Sequence, residues 1–378
     1  MKLLFIDFTL PYLLRDSEYP VGGWAVQLMT WLSGLNAAGH RCGVLTWKGA
    51  NAHAGTQPLC ELLETYDPNA GIKVLKYLYL RVPTMLSAAK SWRPDVIVQS
   101  TRSVETGIAA FIASRLCIPF VYRVASDADV DARYRTDVPL YGQYAYRFGL
   151  RSARLIVCQN TYQVAGVERA RLPARLHLQP NIFRMPQDSR RPRPRDARAY
   201  VAWLGVFRKP KNLPLLLATA KRLPSVNFCV AGMPAAAVDA ETARSLEGLR
   251  SLPNVRFVGY LKRADVPDFL GAATTLLCTS HYEGFSNTFL EALAMGTPIV
   301  TRRSVDPDSI IANRRLGRVA QGDDDLADCI REVHAMPPDE YNLLAQRCRH
   351  HVETHHTPAP IMQSFIDALS PLVPNGAR

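Results

Sequence analysis

Two glutamates eight positions apart bracket the run Glu283-Gly-Phe-Ser-Asn-Thr-Phe-Leu-Glu291. The apolar stretch Thr274–Cys278 ahead of it predicts a strand, His281-Tyr-Glu-Gly284 a turn, and Asn287 the start of a helix to Met295. Ser286 or Asn287 can cap that helix, because either side chain can accept a bond from a first-turn N–H. Phe289, Leu290, Leu293 and Ala294 make the buried stripe, Glu291 projects away from it, and Gly296 with Pro298 ends the helix. A flexible Gly284 followed by unpaired N–H groups and a positive dipole end is a seat for phosphate. Carboxylates on both sides of such a seat suit sugar hydroxyls flanking a diphosphate. The competing reading is an ordinary strand–turn–helix with two surface glutamates.

Three further segments carry polar chemistry. Trp203-Leu-Gly-Val-Phe-Arg-Lys-Pro-Lys-Asn212 leaves a strand with Arg208, Lys209 and Lys211, cations suited to a diphosphate and the charge that grows on it during bond cleavage. Its alternative is a basic solvated loop. Gly22-Gly23 opens a helix and lets the chain turn tightly against a phosphate or sugar. Arg123-Val-Ala-Ser-Asp-Ala-Asp-Val-Asp131 has aspartates at alternate positions, which suits a metal or a helix-capping turn. No EF-hand glycine and glutamate follow, so no metal is expected. His350, His351, His355 and His356 have zinc-compatible helical spacing but no completing Cys or carboxylate; the expectation is an exposed polar helix.

Short apolar runs position these residues. Lys2–Phe8, Cys42–Thr46, Pro94–Gln99, Pro119–Val124 and Leu155–Cys158 alternate with amphipathic stretches such as Trp24–Leu35. The pattern restarts at Tyr200–Leu204 and continues through Asn227–Ala231, Val255–Val258, Thr274–Cys278 and Pro298–Thr301. Continuous β-branched runs between helices, notably Asn212–Leu223 and Asn287–Met295, predict parallel sheets covered on both faces. Pro186–Arg198 lacks apolar periodicity and is rich in proline and arginine, which predicts an extended linker. The expected organisation is an N-terminal domain over 1–185, a linker over 186–198 and a C-terminal domain over 199–350. A helical segment over 351–378 is expected to pack back on the first domain. Ligands of such folds sit at the carboxyl ends of the strands, here in a central cleft.

The 378 residues are 48% hydrophobic and 21% charged, which excludes a disordered or fibrous chain. Eight cysteines without paired spacing read as small buried hydrophobes in a reducing compartment. Asp7 and Pro11 interrupt the N-terminus too early for a signal peptide, and no run reaches the ~20 apolar residues of a spanning helix. A soluble or peripheral cytoplasmic protein is expected. The net charge of +12 is uneven: residues 1–185 hold 21 Lys/Arg against 13 Asp/Glu. That field attracts anionic lipid, nucleic acid or a phosphorylated substrate, or is a plain soluble surface. Lys73–Arg81, basic and rich in Leu and Tyr, fits an anionic membrane surface or a half-buried core face.

The run from Glu283 to Glu291, with its Glu-Gly-Phe-Ser-Asn core and the closing Ala-Met-Gly-Thr-Pro, resembles the E-x7-E motif of retaining two-domain glycosyltransferases. The resemblance is to the group 1 or GT4 type and extends over nearly the whole chain. It implies the GT-B fold, two Rossmann-like doubly wound domains facing a central cleft. It implies that Glu291 binds the nucleotide ribose, Glu283 the donor sugar, and backbone amides from Phe285 to Thr288 the diphosphate. Lys211 falls at the family's lysine and Gly22-Gly23 at its glycine pair. Val206 occupies the usual arginine position, which leaves Arg208 to replace it. Ala125, Ser126 and Asp127 stand where many relatives have a histidine, so Asp127 is the candidate for that polar role, with Asp129 and Asp131 as alternatives toward the acceptor. Only Asn181 is kept of the family's Asn-Gly pair. The last sheet strand is followed by Ser304-Val-Asp-Pro-Asp-Ser309 rather than the family's small-residue turn and glutamate. The implied activity transfers a sugar, with retention, from a nucleotide sugar to a glycan or polyprenyl-linked acceptor, with no cofactor and no obligatory metal. The rivals are a nucleotide-sugar epimerase of similar fold and a basic nucleic-acid- or lipid-binding protein; clustered aromatics among cations, as nucleic acid would require, are missing from the second half.

Overall fold

The structure is a computed structural model that describes residues 1–15, 22–53, 59–72, 75–186 and 192–373. These form two compact units, Met1–Ile182 with Pro358–Arg378, and Phe183–Thr357. Each unit is a parallel sheet covered by helices, so the chain has the two Rossmann-like domains that its alternating runs predict.

The first sheet contains β1 (Lys2–Ile6), β2 (Arg41–Thr46), β3 (Glu61–Glu64), β4 (Val96–Ser100), β5 (Phe120–Arg123), β6 (Leu155–Cys158) and β7 (Arg175–Leu178), in the order β3-β2-β1-β4-β5-β6-β7. Successive side chains of a strand point to opposite faces. Leu3 and Phe5 therefore join one core with Leu28, Trp31 and Leu32, while Leu4 and Ile6 join the other with Ile97, Tyr122 and Ile156. Helix Pro358–Leu369 completes the first of these cores, with Phe365 4.7 Å from the Trp31 ring.

The second sheet contains β8 (Tyr200–Leu204), β9 (Phe228–Ala231), β10 (Val255–Gly259), β11 (Ala273–Leu277), β12 (Ile299–Arg302) and β13 (Gly317–Ala320), in the order β10-β9-β8-β11-β12-β13. In both sheets the order reverses beside the first strand, between β1 and β4 and between β8 and β11. At such a switch the two flanking helices diverge and leave a crevice outside the carboxyl ends of the strands.

Three sequence expectations shift. Part of the segment expected to be a linker belongs to the second unit: Arg198 is buried, and its guanidinium donates to the Ala273 and Met295 carbonyls and to Thr297 Oγ1. Residues 187–191 of that segment lie outside the described residues, as do Lys73 and Val74. Helix Pro338–His355 runs through the boundary drawn at 350 and lies wholly in the second unit. Seven cysteines are buried, but Cys117 is exposed, because it sits in the left-handed turn (φ 55°) that follows helix Val104–Arg115.

Candidate active site

The second unit places its polar residues at the β8/β11 switch. Beyond β8 the chain runs through Arg208 and a single turn, Lys209–Lys211, to Asn212, which takes a left-handed conformation and caps helix Leu213–Lys221 with its side chain. Beyond β11 the chain is tied to this loop by main-chain and hydroxyl bonds. The His281 N–H donates to the Pro210 carbonyl at 2.9 Å. Thr279 Oγ1 donates to the Lys211 carbonyl at 2.8 Å and accepts from Trp203 Nε1 at 3.0 Å.

This clasp brings Lys211 and Glu283 together across 72 residues of sequence. Lys211 Nζ lies 2.6 Å from Glu283 Oε1, and Ser280 Oγ donates to the same oxygen at 2.7 Å. Oε2 accepts from no described residue. Burial pushes the Glu283 carboxyl up, but Lys211, Ser280 and the nearby Arg208 charge outweigh it and hold the group below its ordinary value. Arg208 is exposed, in an ionic neighbourhood rather than a bonded one.

Helix Asn287–Ala294 starts directly after this pair, and its dipole turns the positive end toward anions. Ser286 is the residue at its N-cap, yet its hydroxyl shares a 2.8 Å bond with Thr288 Oγ1 and does not cap the first turn. Gly284 and Phe285 are buried, and the Phe285 ring lies 5.2 Å from that of buried His356. Gly296 (φ 68°) closes the helix in the left-handed conformation that a side chain would strain.

Glu291 sits one turn further on, and its environment is the opposite of Glu283's. Its nearest cation, Arg263, is 3.9 Å away, and no described residue donates a hydrogen bond to it. Burial raises its carboxyl above the ordinary value, and Arg263 offsets this only in part. A desolvated carboxylate without donors is suited to a ligand that brings two hydroxyls.

In the first unit, Gly22 is the N-cap of helix Gly23–Ala37, exposed and with open space where a Cβ would stand. The helix then buries Trp24 and Trp31, whose rings lie 4.9 Å and 5.5 Å from the Arg123 guanidinium. Arg123 is itself buried and bonds Asn181, and burial lowers its pKa to about 9. Asp127 accepts from Asn160 Nδ2 at 3.0 Å and Gln163 Nε2 at 2.9 Å. Burial, against these two neutral donors, raises its pKa to about 6.

The other two aspartates are engaged by donors of the first unit. Asp129 is buried, accepts from the Ala125 and Ser126 N–H groups and pairs with Arg102 at 3.0 Å. Asp131 is held by Arg133 and by Tyr162 Oη at 3.0 Å. Among the described residues no group of His, Cys, Asp and Glu could hold a metal. The four-histidine cluster also differs from the exposed helix expected of it: His351 and His356 are buried, and burial with neighbouring histidines takes His351 down to about 3.

Sequence reasoning missed Ser280, Arg263, Asn160 and Gln163. Ser280, three residues before Glu283, carried a local signal. The others meet their carboxylates only through the fold.

Two doubly wound units, one with a lysine–glutamate pair and a bare helix start at its switch point, define a two-domain Rossmann-type α/β protein. Residues 185–350 match the family model for glycosyl transferases group 1, and residues 22–182 match that for a glycosyl transferase 4-like domain. The chain belongs to the group 1 glycosyltransferases and has their GT-B architecture. It is 22% identical over 383 residues to an alpha-monoglucosyldiacylglycerol synthase of Streptococcus pneumoniae, covering 94% of this chain and 85% of that one. It is 26% identical over 194 residues to a D-inositol 3-phosphate glycosyltransferase of Mycolicibacterium smegmatis, covering 50% of this chain and 43% of that one. The structure of HepE from Anabaena in complex with UDP-glucose superposes with a TM-score of 0.77 at 18% identity, covering 98% of this chain and all (100%) of that one.

Proposed function

We propose that the protein is a retaining glycosyltransferase that moves a sugar, a hexose in the reading we favour, from a nucleotide-diphosphate sugar to a lipid-linked or polysaccharide acceptor. One observation carries the donor half: at the β8/β11 switch, Glu283, Lys211 and Glu291 surround the uncapped start of helix Asn287–Ala294. Glu291 takes the ribose diol, and the free Oε2 of Glu283 takes a donor-sugar hydroxyl. The amides from Phe285 to Thr288 take the diphosphate, and the family resemblance assigns Gly22 and Gly23 to donor binding as well. Lys211 and Arg208 neutralise the charge that grows on the diphosphate as the glycosidic bond breaks, the step at which fixed charge lowers the barrier most. This set supplies the charge without an obligatory metal. Asp127 is assigned to the acceptor side, with its raised pKa suited to proton exchange near neutral pH.

The acceptor half is supported by one relative, whose name is that of a synthase of a glucosylated diacylglycerol. A cell-surface role and a place at the inner face of the cytoplasmic membrane follow from such an acceptor; no described helix is long and apolar enough to cross a membrane. Thermal stabilisation by UDP, GDP, ADP and dTDP tests the donor reading, with at least one nucleotide expected to raise the melting temperature. Stabilisation by none of them removes it. The anomeric configuration of the first product, read by NMR with the identified donor, tests retention.

A further inference from the structure

The first unit carries a surface that the donor chemistry does not use. Helix Leu140–Ser152 lies close against helix Val104–Arg115: a Cβ on Gly149 would stand 2.6 Å from the Thr106 carbonyl oxygen, and one on Gly107 2.7 Å from that of Ala145. That crossing buries Gly142, Tyr146 and Gly149 and fixes which face remains outside. Leu140 (72% exposed), Tyr141, Tyr144 (71%) and Phe148 face out, on the same stripe as exposed Arg147 and Arg151. The Tyr141 ring lies 6.3 Å from that of Tyr77, which joins this face to exposed Leu75, Leu78 (75%) and Tyr79. Isolated exposed apolar residues are ordinary, but a contiguous aromatic and aliphatic patch is not.

Beside the stripe is a cavity of about 500 Å³ with an apolar floor that includes Tyr134 and Leu150 and a rim of Arg135, Arg147, Arg151 and Arg169. None of these four arginines has an ion-pair partner among the described residues; Arg135 and Arg169 lie over the Tyr134 and Tyr162 rings. The aspartates at its inner end are engaged elsewhere, Asp129 by Arg102 and Asp131 by Arg133. Four guanidiniums around an apolar floor match an anionic group carried on a hydrocarbon chain. Tyr, Phe and Leu interleaved with arginine match the boundary between headgroups and acyl chains.

We propose that this face seats the protein on an anionic phospholipid bilayer, with a headgroup phosphate in the arginine-rimmed cavity and Leu78, Leu140, Tyr144 and Phe148 at the acyl boundary. It deepens, and rests on, the reading that the acceptor is held at a membrane. The whole chain is floated with phosphatidylcholine vesicles, with and without phosphatidylglycerol. Binding is expected only with phosphatidylglycerol, and salt is expected to weaken it. R147Q/R151Q is expected to weaken it about thirtyfold, at ~1 kcal/mol per arginine. Y144S/F148S is expected to lower binding at low salt as well, where electrostatic attraction alone is strongest. Absence of binding to anionic vesicles at low salt overturns the proposal, as does equal binding to both vesicle types. So does full competition by soluble glycerol phosphate, which would make the cavity a site for a free phosphate. Self-association without vesicles that Y144S/F148S abolishes would give the face to a second copy. Nucleotide stabilisation, read on the same samples, separates the outcomes: floating protein that binds no nucleotide sinks the donor reading and leaves this one standing.

Discussion

The two switch points use charge in opposite ways. At β8/β11 the groups are ionic and preset: Lys211 touches Glu283, Ser280 shares the same carboxylate oxygen, and the pair lies before an uncapped helix start. In the first unit two titratable groups at the end of β5, Asp127 and Arg123, are held by neutral or aromatic partners. Asp127 has two amides, and Arg123 has two tryptophan rings and Asn181. The first arrangement pins charge in place and suits a diphosphate on which negative charge grows. The second leaves protonation near neutrality sensitive to what arrives, which suits an acceptor that must lose a proton.

The largest effect is expected from removing the preset cation. Lys211→Met leaves Glu283 half-buried without its counter-charge and, in the proposed reading, takes a cation from the leaving diphosphate. A fall of about 10²–10³ in kcat is expected, the usual consequence of losing one preorganised electrostatic contact. The same variant changes stability against pH. The folded Glu283 carboxyl lies below its ordinary value, so its contribution is present above the unfolded carboxylate range and is lost as pH falls through the folded value. Lys211→Met should flatten that acid limb in a thermal-melt series. An unchanged kcat would make the pair a structural tie and break the contrast between the two units.

Next comes Glu291, the carboxylate proposed for the ribose. Glu291→Ala should weaken nucleotide-diphosphate binding by about 1.5–3 kcal/mol, the range for hydrogen bonds to a charged group. Titration calorimetry with the best-stabilising nucleotide reads it, and unchanged affinity would move the ribose elsewhere.

Asp127→Asn probes the other side of the comparison. Asparagine keeps an acceptor for Asn160 and Gln163 while removing the titration. The wild-type carboxyl, at about 6 in the folded protein, lies above its unfolded value, so the folded state holds the proton more firmly. Stability from this group is present at low pH and is lost as pH rises from about 4 to about 6. The variant should therefore melt higher than wild type at pH 8, by about 1–2 kcal/mol, and match it near pH 4. If the Asp127 anion serves the acceptor, the rise in transfer rate through pH 6 should vanish in the variant. A variant that keeps that rise would remove Asp127 from the acceptor side.

What could be read in the sequence follows the same division. The proposed donor segment was legible because its parts are local: strand, turn, helix start and glycine stop all lie between Ala273 and Gly296. Strands with continuous apolar runs, such as β8 and β11, were equally plain. Glu61–Glu64, Arg175–Leu178 and Gly317–Ala320 were not, because these short edge strands carry polar residues and need only one neighbour. Arg263 beside Glu291, Lys211 against Glu283, and Asn160 and Gln163 on Asp127 meet through chain crossings that no spacing encodes. His351 and His356 looked exposed because helix Pro338–His355 is polar on average; in the fold His356, at its C-cap, lies against the rings of Phe285 and His351.

The smallest predicted effect joins stability to the donor reading at one atom group. Glu291 has a carboxyl raised by burial and no described donor, with Arg263 3.9 Å away as its only ion-pair partner among the described residues. A group whose folded pKa lies above its unfolded one destabilises the fold once pH exceeds the unfolded value, because ionisation then has to occur in the less solvated place. Glu291→Gln keeps the shape and removes the charge, so it should raise stability at pH 7 by about 0.5–1 kcal/mol, or about 1–4 °C for a unit of this size. It should at the same time lower nucleotide affinity, since an amide is a weaker acceptor for a diol than a carboxylate. With saturating nucleotide the order should reverse, the wild type gaining more from the ligand than the variant. A variant that is no more stable than wild type without nucleotide would mean that Arg263 already satisfies Glu291, and that this carboxylate, like Glu283, is preset by the protein.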